Sequence, residues 1–366
     1  MRALAALALL MLNAHAAEWT AYIGTYTRGS SKGVYAARFD EKTGKLTSLG
    51  LAAETSNPSF LAVSPNQRFL YAANENPQGT VSAFSIETAT GHLKLLNTVS
   101  TKGSGPCHVE LDRSGQFLFA ANYNSGSVAV FPVREDGTLG QASKSVQHSG
   151  SSANPQRQEG PHAHSANVAP DNRFVLVLYL GLDQIMAYSR QLNIGATTIM
   201  NPGSGPRHMA FGSGGKFAYV LSELTATVTA FRYEGRTGSL DELQTISTLP
   251  AGYTGPKSAA EIAIHPSGKF LYASNRGHDS IALFRIDPEK GTLTAGGHFV
   301  TQGKTPRNFA IDPTGTFLLA ANQDSGSIVE FRIDQNTGAL SPTGVTLPVP
   351  FPVSIVFAPV RREEPR

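Results

Sequence analysis

The sequence contains one cysteine, few charged side chains and no cluster of five or more basic residues. With Cys107 alone, no intramolecular disulfide can form, so stability must come from a large core or a closed topology. Charged residues make up only 16% of the chain, and 36 glycines and 22 prolines interrupt it throughout, which excludes a helical bundle or coiled coil. A net charge of +3 without a basic cluster indicates no nucleic-acid or anionic-membrane surface.

The chain also lacks an apolar run long enough to span a membrane. Its N-terminus has Arg2, a short apolar run at residues 3–12 and the small-residue sequence Ala-His-Ala at 14–16, which is the layout of a secretory signal peptide. A buried first helix is the alternative interpretation. We therefore predict a signal peptide at 1–17 and an exported protein, either periplasmic or secreted.

One motif recurs along the remaining chain, which predicts a repeat architecture. Six segments share a pattern of two short apolar strands around a polar turn, at intervals of roughly 45 to 57 residues, the size of a four-stranded propeller blade. The segments are PSFLAVSPNQRFLYAANE from Pro58, PCHVELDRSGQFLFAANY from Pro106, AHSANVAPDNRFVLVLYL from Ala163, PRHMAFGSGGKFAYVLSE from Pro206, AAEIAIHPSGKFLYASNR from Ala259 and PRNFAIDPTGTFLLAANQ from Pro306. We number blades 1 to 6 by these repeats.

The two ends of the chain each contain part of a further repeat. The segment from Ala21 supplies strands two, three and four, and PVSIVFAP from Pro352 supplies a first strand. Together they predict a composite blade 7 that closes the ring and removes exposed sheet edges. The fold class is thus predicted to be all-β: one seven-bladed propeller of four-stranded antiparallel blades at 18–360, followed by a polar tail at 361–366.

Up-and-down blades place the start of strand one and the turn after strand two on the same face of the ring. Chemically active side chains collect on that face, whereas the opposite face carries ordinary turn residues. The positions just after each strand-one start are Ser59, Cys107, His164, Arg207, Ala260, Arg307 and Val353. The next positions are Phe60, His108, Ser165, His208, Glu261, Asn308 and Ser354. The turns after strand two begin at Thr25, Asn74, Asn122, Tyr179, Ser222, Asn275 and Asn322.

His162-Ala163-His164 has the residues for half of a metal site. No nearby Asp or Cys set completes a three- or four-ligand geometry, so we predict neither a metal nor a cofactor.

The segments YIGTYT, EGPHAHSANVAPDNRF, GPRHMAF, SELTATVTAF and NRGHDSIALF, in this order, resemble the seven-bladed propeller lactonases. That family includes propeller-type 6-phosphogluconolactonases and the fungal carboxymuconate lactonizing enzyme. The resemblance implies a metal-free site at one mouth of the channel. By position, it implies catalytic roles for His162 or His164, Arg207, Glu223 and Arg276. The chain departs from the family where VLYLG at 177–181 lacks the usual carboxylate, and in its predicted export signal.

Lactone hydrolysis fits these residues, because a His or Glu base can activate water and arginines can stabilise an oxyanion. We expect the base to be a His of ordinary pKa and the substrate to be a small lactone or carboxylate. Residues predicted to bind it are His108, Asn122, His208, Glu261, Asn275 and Arg307. A lactonizing cyclase and a non-catalytic binding module remain alternatives. A monomer is expected.

The signal-peptide prediction has a direct test in the mass of the mature protein. Protein recovered from the envelope or the medium should begin near Ala17 or Glu18, because cleavage follows the small-residue motif. N-terminal sequencing measures this, and exported material that retains Met1 would contradict it.

Overall fold

The computed structural model describes residues 18–360, and the predicted signal peptide and polar tail lie outside them. The described chain folds into seven four-stranded antiparallel sheets with one short 3₁₀ turn, Ser213–Gly215. The predicted seven-bladed propeller is therefore confirmed.

Each of blades 1 to 6 is formed by four consecutive strands. Blade 1 contains β4 (Pro58–Val63), β5 (Phe69–Asn74), β6 (Thr80–Ile86) and β7 (Leu93–Ser100). Blade 2 contains β8 (Pro106–Leu111), β9 (Phe117–Asn122), β10 (Ser127–Pro132) and β11 (Lys144–Gln147). Blade 3 contains β12 (Ala163–Val168), β13 (Phe174–Tyr179), β14 (Gln184–Ser189) and β15 (Ile194–Ile199).

The next three blades repeat this order. Blade 4 contains β16 (Pro206–Phe211), β17 (Phe217–Ser222), β18 (Thr227–Glu234) and β19 (Ser239–Ser247). Blade 5 contains β20 (Ala259–Ile264), β21 (Phe270–Asn275), β22 (Ser280–Ile286) and β23 (Leu293–Val300). Blade 6 contains β24 (Pro306–Ile311), β25 (Phe317–Asn322), β26 (Ser327–Ile333) and β27 (Leu340–Pro348).

Blade 7 joins the two ends of the described chain. It contains β28 (Pro352–Pro359), β1 (Glu18–Thr25), β2 (Gly33–Asp40) and β3 (Leu46–Glu54), in that order. The innermost strand β28 pairs antiparallel with β1, from Trp19 opposite Pro359 to Gly24 opposite Ser354. This pairing confirms the predicted ring closure and gives β28 the inner position that strand one occupies in every other blade.

The hydrophobic core lies between the blades. Seven clusters of buried apolar residues are present in the described chain, and each combines side chains from two adjacent blades. The second strands, such as the fully buried FLYAAN of β5, are covered by neighbouring sheets on both faces, so the blades pack closely. Tyrosine hydroxyls add links between blades: Tyr71 donates to the Gly137 carbonyl at 3.0 Å, and Tyr272 donates to the Gly338 carbonyl at 2.7 Å.

One charged side chain interrupts the packing between blades 6 and 7. Glu330 on β26 is 1% exposed, and neither carboxyl oxygen has a hydrogen-bond partner in the described structure. The turn at Gly44 packs directly against it. Burial raises the pKa of Glu330 to about 7, so the carboxyl group keeps its proton in the folded protein at mildly acidic pH.

We expect the stability of the protein to fall as pH rises from about 4 to about 8 through this group. Folded Glu330 holds its proton up to about pH 7, whereas the unfolded chain releases it near pH 4.3, so the unfolded state binds fewer protons in this window. The free energy of unfolding should fall by roughly 3 kcal/mol across it. Glu330→Gln should remove this share of the dependence and leave that of Glu110, whose pKa burial raises to about 8, as measured by denaturant unfolding at several pH values.

The matched control is Glu289→Gln, the same substitution at an exposed turn residue of blade 5. It should leave the pH profile of wild-type stability unchanged. Equal profiles for wild type and Glu330→Gln would show that this carboxyl group does not titrate within the interface.

Candidate active site at one mouth of the channel

A β-bulge near the start of the inner strands sets the direction of the candidate site residues. In blade 2, Pro106 pairs with Asn122 and His108 pairs with Ala121, which leaves Cys107 between them unpaired. The same skip leaves Ser59, His164, Arg207 and Arg307 unpaired in their blades. Bulges re-aim side chains and are common beside active sites. Three of these unpaired residues, Cys107, His164 and Arg307, face one cavity at this mouth.

These side chains line a cavity of about 270 Å³. It is small compared with typical ligand pockets, and its wall is mostly polar or charged. The lining residues are Tyr26, Glu75, Cys107, Tyr123, Arg157, His164, Glu223, Arg276 and Arg307.

Glu223 is the centre of charge in this cavity. It follows β17, is 2% exposed and contacts three guanidinium groups. Arg207 Nε and Arg276 Nη2 each lie 3.0 Å from Oε2, and Arg157 Nη2 contacts Oε1. Burial by itself would raise the pKa of Glu223, but the charges of Arg276, Arg207 and Arg157 outweigh it and hold the pKa well below its usual range. Glu223 is therefore ionised and a very weak base.

The two buried arginines also bind the backbone of blade 5. Arg207 donates through Nη1 to the Ala260 carbonyl, and Arg276 donates through Nη2 to the Ala259 carbonyl at 3.0 Å. The third arginine, Arg157, comes from the irregular loop at 148–162 and has a side chain that is 42% exposed, against 3% for Arg207. Glu223 is thus surrounded by two fixed guanidinium groups and a third that is partly exposed to solvent.

His164 faces the cavity beside Glu223, with Nε2 at 3.8 Å from Glu223 Oε2. Burial, together with the positive charge of Arg207 and Arg307, lowers the pKa of His164 well below its usual range. The imidazole is therefore neutral near pH 7 and able to accept a proton. This corrects the expectation of a His with an ordinary pKa. The reason is that burial and the nearby guanidinium charges outweigh the attraction of Glu223, whose negative charge three arginines already share.

His162 occupies a different position from His164. Its ring stacks on Tyr123, Nδ1 lies 3.1 Å from the Tyr123 carbonyl oxygen, and Nε2 lies 3.0 Å from Glu159 Oε1. It does not belong to the cavity lining. Of the two candidate histidines, His164 is therefore the one that lines the cavity.

Three of the residues predicted to bind substrate lie deeper in the channel. His108, His208 and Glu261 line a second cavity of about 250 Å³ behind the first. His208 Nδ1 lies 3.0 Å from Glu261 Oε1, Asn308 donates to Glu261 Oε2, and the His208 ring is 5.2 Å from that of His164. These groups therefore form the layer of side chains directly beneath the mouth cavity.

The predicted asparagines hold loops. Asn122 and Asn275 are fully buried, and neither belongs to the cavity lining. Asn275 donates to the Thr248 carbonyl at 2.7 Å, and Asn122 donates to the Ser127 hydroxyl at 3.0 Å. Arg307, the remaining predicted residue, does line the cavity.

Sequence reasoning missed Arg157. It lies in the connection between blades 2 and 3, outside the repeat, so no register places it on either face. Gln158 anchors this loop because its buried amide donates to the Leu180 carbonyl at 2.8 Å. Tyr26 and Glu75 form another part of the cavity wall, and the Tyr26 hydroxyl donates to Glu75 at 3.0 Å. Both residues lie in turns that follow strand two, which the sequence did assign to this face.

Within residues 18–360, no group of three or more His, Cys, Asp or Glu side chains is arranged to hold a metal ion. The same residues contain no helix with the length and apolar character needed to cross a membrane.

The comparisons with known proteins agree with this architecture. The sequence profile of the family described as "Lactonase, 7-bladed beta-propeller" matches residues 20–357. The chain belongs to this family. The 6-phosphogluconolactonase of Bacillus subtilis (strain 168) is 38% identical over 295 residues, which cover 80% of this chain and 84% of that protein. Membership of the lactonase family supports a hydrolase that acts on lactones as small-molecule substrates.

Two solved structures of relatives have the same fold over nearly all of this lactonase-family chain. The periplasmic gluconolactonase PpgL of Pseudomonas aeruginosa is 34% identical, with a TM-score of 0.89 over 94% of this chain and 100% of that one. A candidate 6-phosphogluconolactonase of Bacteroides fragilis is 40% identical, with a TM-score of 0.87 over 93% of this chain and 98% of that one.

The lowered pKa of His164 predicts the pH dependence of lactone hydrolysis. If the neutral imidazole is the base, kcat/KM should stay constant as pH falls through 6.5 and decline only well below it. His164→Asn should reduce kcat/KM by about 10²- to 10⁴-fold. Measurement of pH–rate profiles for both proteins tests this.

His92→Ala is the control for this prediction, since His92 is exposed in a turn of blade 1. It should keep the wild-type profile. An acid limb at or above pH 6.5, or normal turnover by His164→Asn, would exclude His164 as the base.

Proposed function

We propose that this protein hydrolyses a sugar-type lactone, as the 6-phosphogluconolactonases of its family do by name. The observation that carries the proposal is a buried, neutral His164 beside an ionised Glu223 in a small arginine-rich cavity. A neutral imidazole can activate water, and the arginines offer donors for the negative charge that forms on the carbonyl oxygen.

His164 is better suited than Glu223 to act as the base. The three guanidinium groups hold Glu223 ionised with a pKa far too low to take a proton from water. Its carboxylate, 3.8 Å from His164 Nε2, would instead stabilise the imidazolium that forms when His164 accepts a proton. Glu223 also holds Arg157, Arg207 and Arg276 together, because their mutual repulsion is offset by its charge.

The reaction consumes water and releases acid. Water loses one proton to His164 and attacks the lactone carbonyl carbon, which gives a tetrahedral oxyanion. The ring C–O bond then breaks, and the leaving oxygen takes the proton from His164. The new carboxylic acid loses its remaining proton to solvent, so each turnover yields a hydroxycarboxylate and one proton.

We further propose that this reaction takes place outside the cytoplasm. The N-terminal signal-peptide pattern supports export, and one relative in the family is a periplasmic gluconolactonase. An unphosphorylated aldonolactone fits an exported enzyme better than a phosphorylated one, since sugar phosphates are cytosolic metabolites.

A lactone panel in a pH-stat tests the proposed activity. Glucono-δ-lactone and 6-phosphogluconolactone should consume one equivalent of base per lactone opened. Loss of the ultraviolet absorbance of a carboxymuconate without net acid release would instead support the cyclase. Turnover of none of these compounds would overturn the proposed activity and favour a binding module.

Glu223→Gln should reduce kcat at least about 10²-fold, because the substitution removes the charge that organises the reaction centre. Thermal melting must accompany the assay, since unpaired buried guanidinium groups destabilise a protein. The matched control is Glu54→Gln, at an exposed residue paired with Lys32 at 3.9 Å, which should keep wild-type turnover. A folded Glu223→Gln variant with normal kcat would exclude a catalytic role for this carboxylate.

A further inference from the structure

Four arginines lie at this mouth, three of them lining the cavity and Arg207 beside it on Glu223, and they differ in how many N–H donors they have left for a ligand. Arg207 uses Nε on Glu223 and Nη1 on the Ala260 carbonyl. Arg276 uses Nη2 on both Glu223 and the Ala259 carbonyl, while its buried Nε has no hydrogen-bond partner within the described residues. Both guanidinium groups are held in place by Glu223 and by the backbone of blade 5.

Arg157 is committed in the same way, although less firmly. Its Nη2 contacts Glu223 Oε1 and lies 3.5 Å from the Tyr123 hydroxyl. Arg157, Arg207 and Arg276 thus share the carboxylate of Glu223, which partly balances their positive charge before a ligand binds.

Arg307 has no such commitment. It lines the cavity, yet within the described residues its guanidinium forms no hydrogen bond and no ion pair. Its one directed contact is with the ring of Tyr26, whose centroid lies 5.3 Å from the guanidinium carbon. A guanidinium carries five N–H donors, and those of Arg307 are available to a bound oxyanion. Burial by itself would lower the pKa of this guanidinium, but Tyr26, Glu75 and Glu223 nearby hold the pKa above its usual range, so the group stays charged.

The position of Arg307 in the ring is also informative. Arg307 is the bulged residue of β24 in blade 6, and His164 is the bulged residue of β12 in blade 3. They face the same small cavity from opposite sides of the channel. A lactone between them would meet a proton acceptor on one side and a set of free donors on the other.

We propose that Arg307 is the residue that binds the oxyanion, by donating to the lactone carbonyl oxygen as it gains negative charge. This inference rests on the proposed hydrolysis. In this arrangement, His164 removes the proton from the attacking water and Arg307 stabilises the charge on the former carbonyl oxygen. Arg207 and Arg276 act as positioning residues that keep Glu223 ionised and in place. After the ring opens, the same Arg307 donors bind the product carboxylate.

Steady-state kinetics of Arg307→Gln and Arg307→Lys test the assignment. An interaction that strengthens in the transition state lowers kcat, whereas an anchor for a remote group raises KM. With glucono-δ-lactone, Arg307→Gln should lose about 10²- to 10³-fold in kcat with little change in KM. Arg307→Lys should recover part of the loss, because it restores the charge without the planar fork.

Arg236→Gln is the matched control. Arg236 is an exposed arginine in a turn of blade 4, lies 3.4 Å from Glu234, and does not line the cavity. It should keep wild-type kcat and KM. A normal kcat in Arg307→Gln, or a change confined to KM, would overturn the oxyanion assignment; a KM effect seen only with 6-phosphogluconolactone would identify Arg307 as an anchor for the phosphate.

Equilibrium binding separates this inference from the proposed hydrolysis. Titration calorimetry with gluconate measures the carboxylate site whether or not the protein turns over a lactone. Wild type should bind gluconate at least ten-fold more tightly than Arg307→Gln. If no lactone is hydrolysed but this difference is found, the proposed function fails and the anion site at Arg307 stands. Equal affinities would overturn the site itself.

Discussion

Pairing of β28 with β1 is the constraint on which the rest of the structure depends. It satisfies the backbone groups of two edges that would otherwise be exposed, and it fixes the number of blades at seven. The number of blades in turn sets the width of the central channel and brings residues 250 positions apart to one mouth. Because the core lies between blades, each interface supports its neighbours, and the protein needs no disulfide to hold the ring together.

The bulge in the inner strands directs side chains of several blades toward one mouth of the channel. Without it, successive side chains of a strand would point to opposite faces. With it, His164 faces the mouth cavity while its neighbour Ser165 resumes pairing with β13. The residues that follow the bulge then bond between blades: the Ile355 N–H donates to Asn308 at 2.9 Å, and the Leu61 N–H donates to Ser354 at 3.1 Å. A single irregularity thus provides both the site and a set of contacts that hold the blades in place.

The concentration of charge at the mouth costs desolvation free energy, and it also sets the properties of the proposed catalytic groups. A buried carboxylate among three guanidinium groups has lost its water, and only their mutual attraction compensates for that loss. The same desolvation keeps His164 neutral and makes the donors of Arg307 effective toward an oxyanion. Glu330, by contrast, is a buried carboxyl group without a cation, and its pKa is raised.

The repeat in the sequence by itself determined the all-β class, the number of blades, the composite blade and the face that carries the site. Those features follow from strand periodicity and turn residues, which are local and recur in every blade. Periodicity also placed His164, Arg207 and Arg307 at equivalent positions. Only the tertiary structure showed that His162 stacks on Tyr123, away from the cavity that His164 lines. It also showed that Asn122 and Asn275 hydrogen-bond to loops, and that Arg157 reaches Glu223 from a connection outside the repeat. The free donors of Arg307 and the lowered pKa of His164 likewise depend on burial and on partners from other blades, which no local pattern contains.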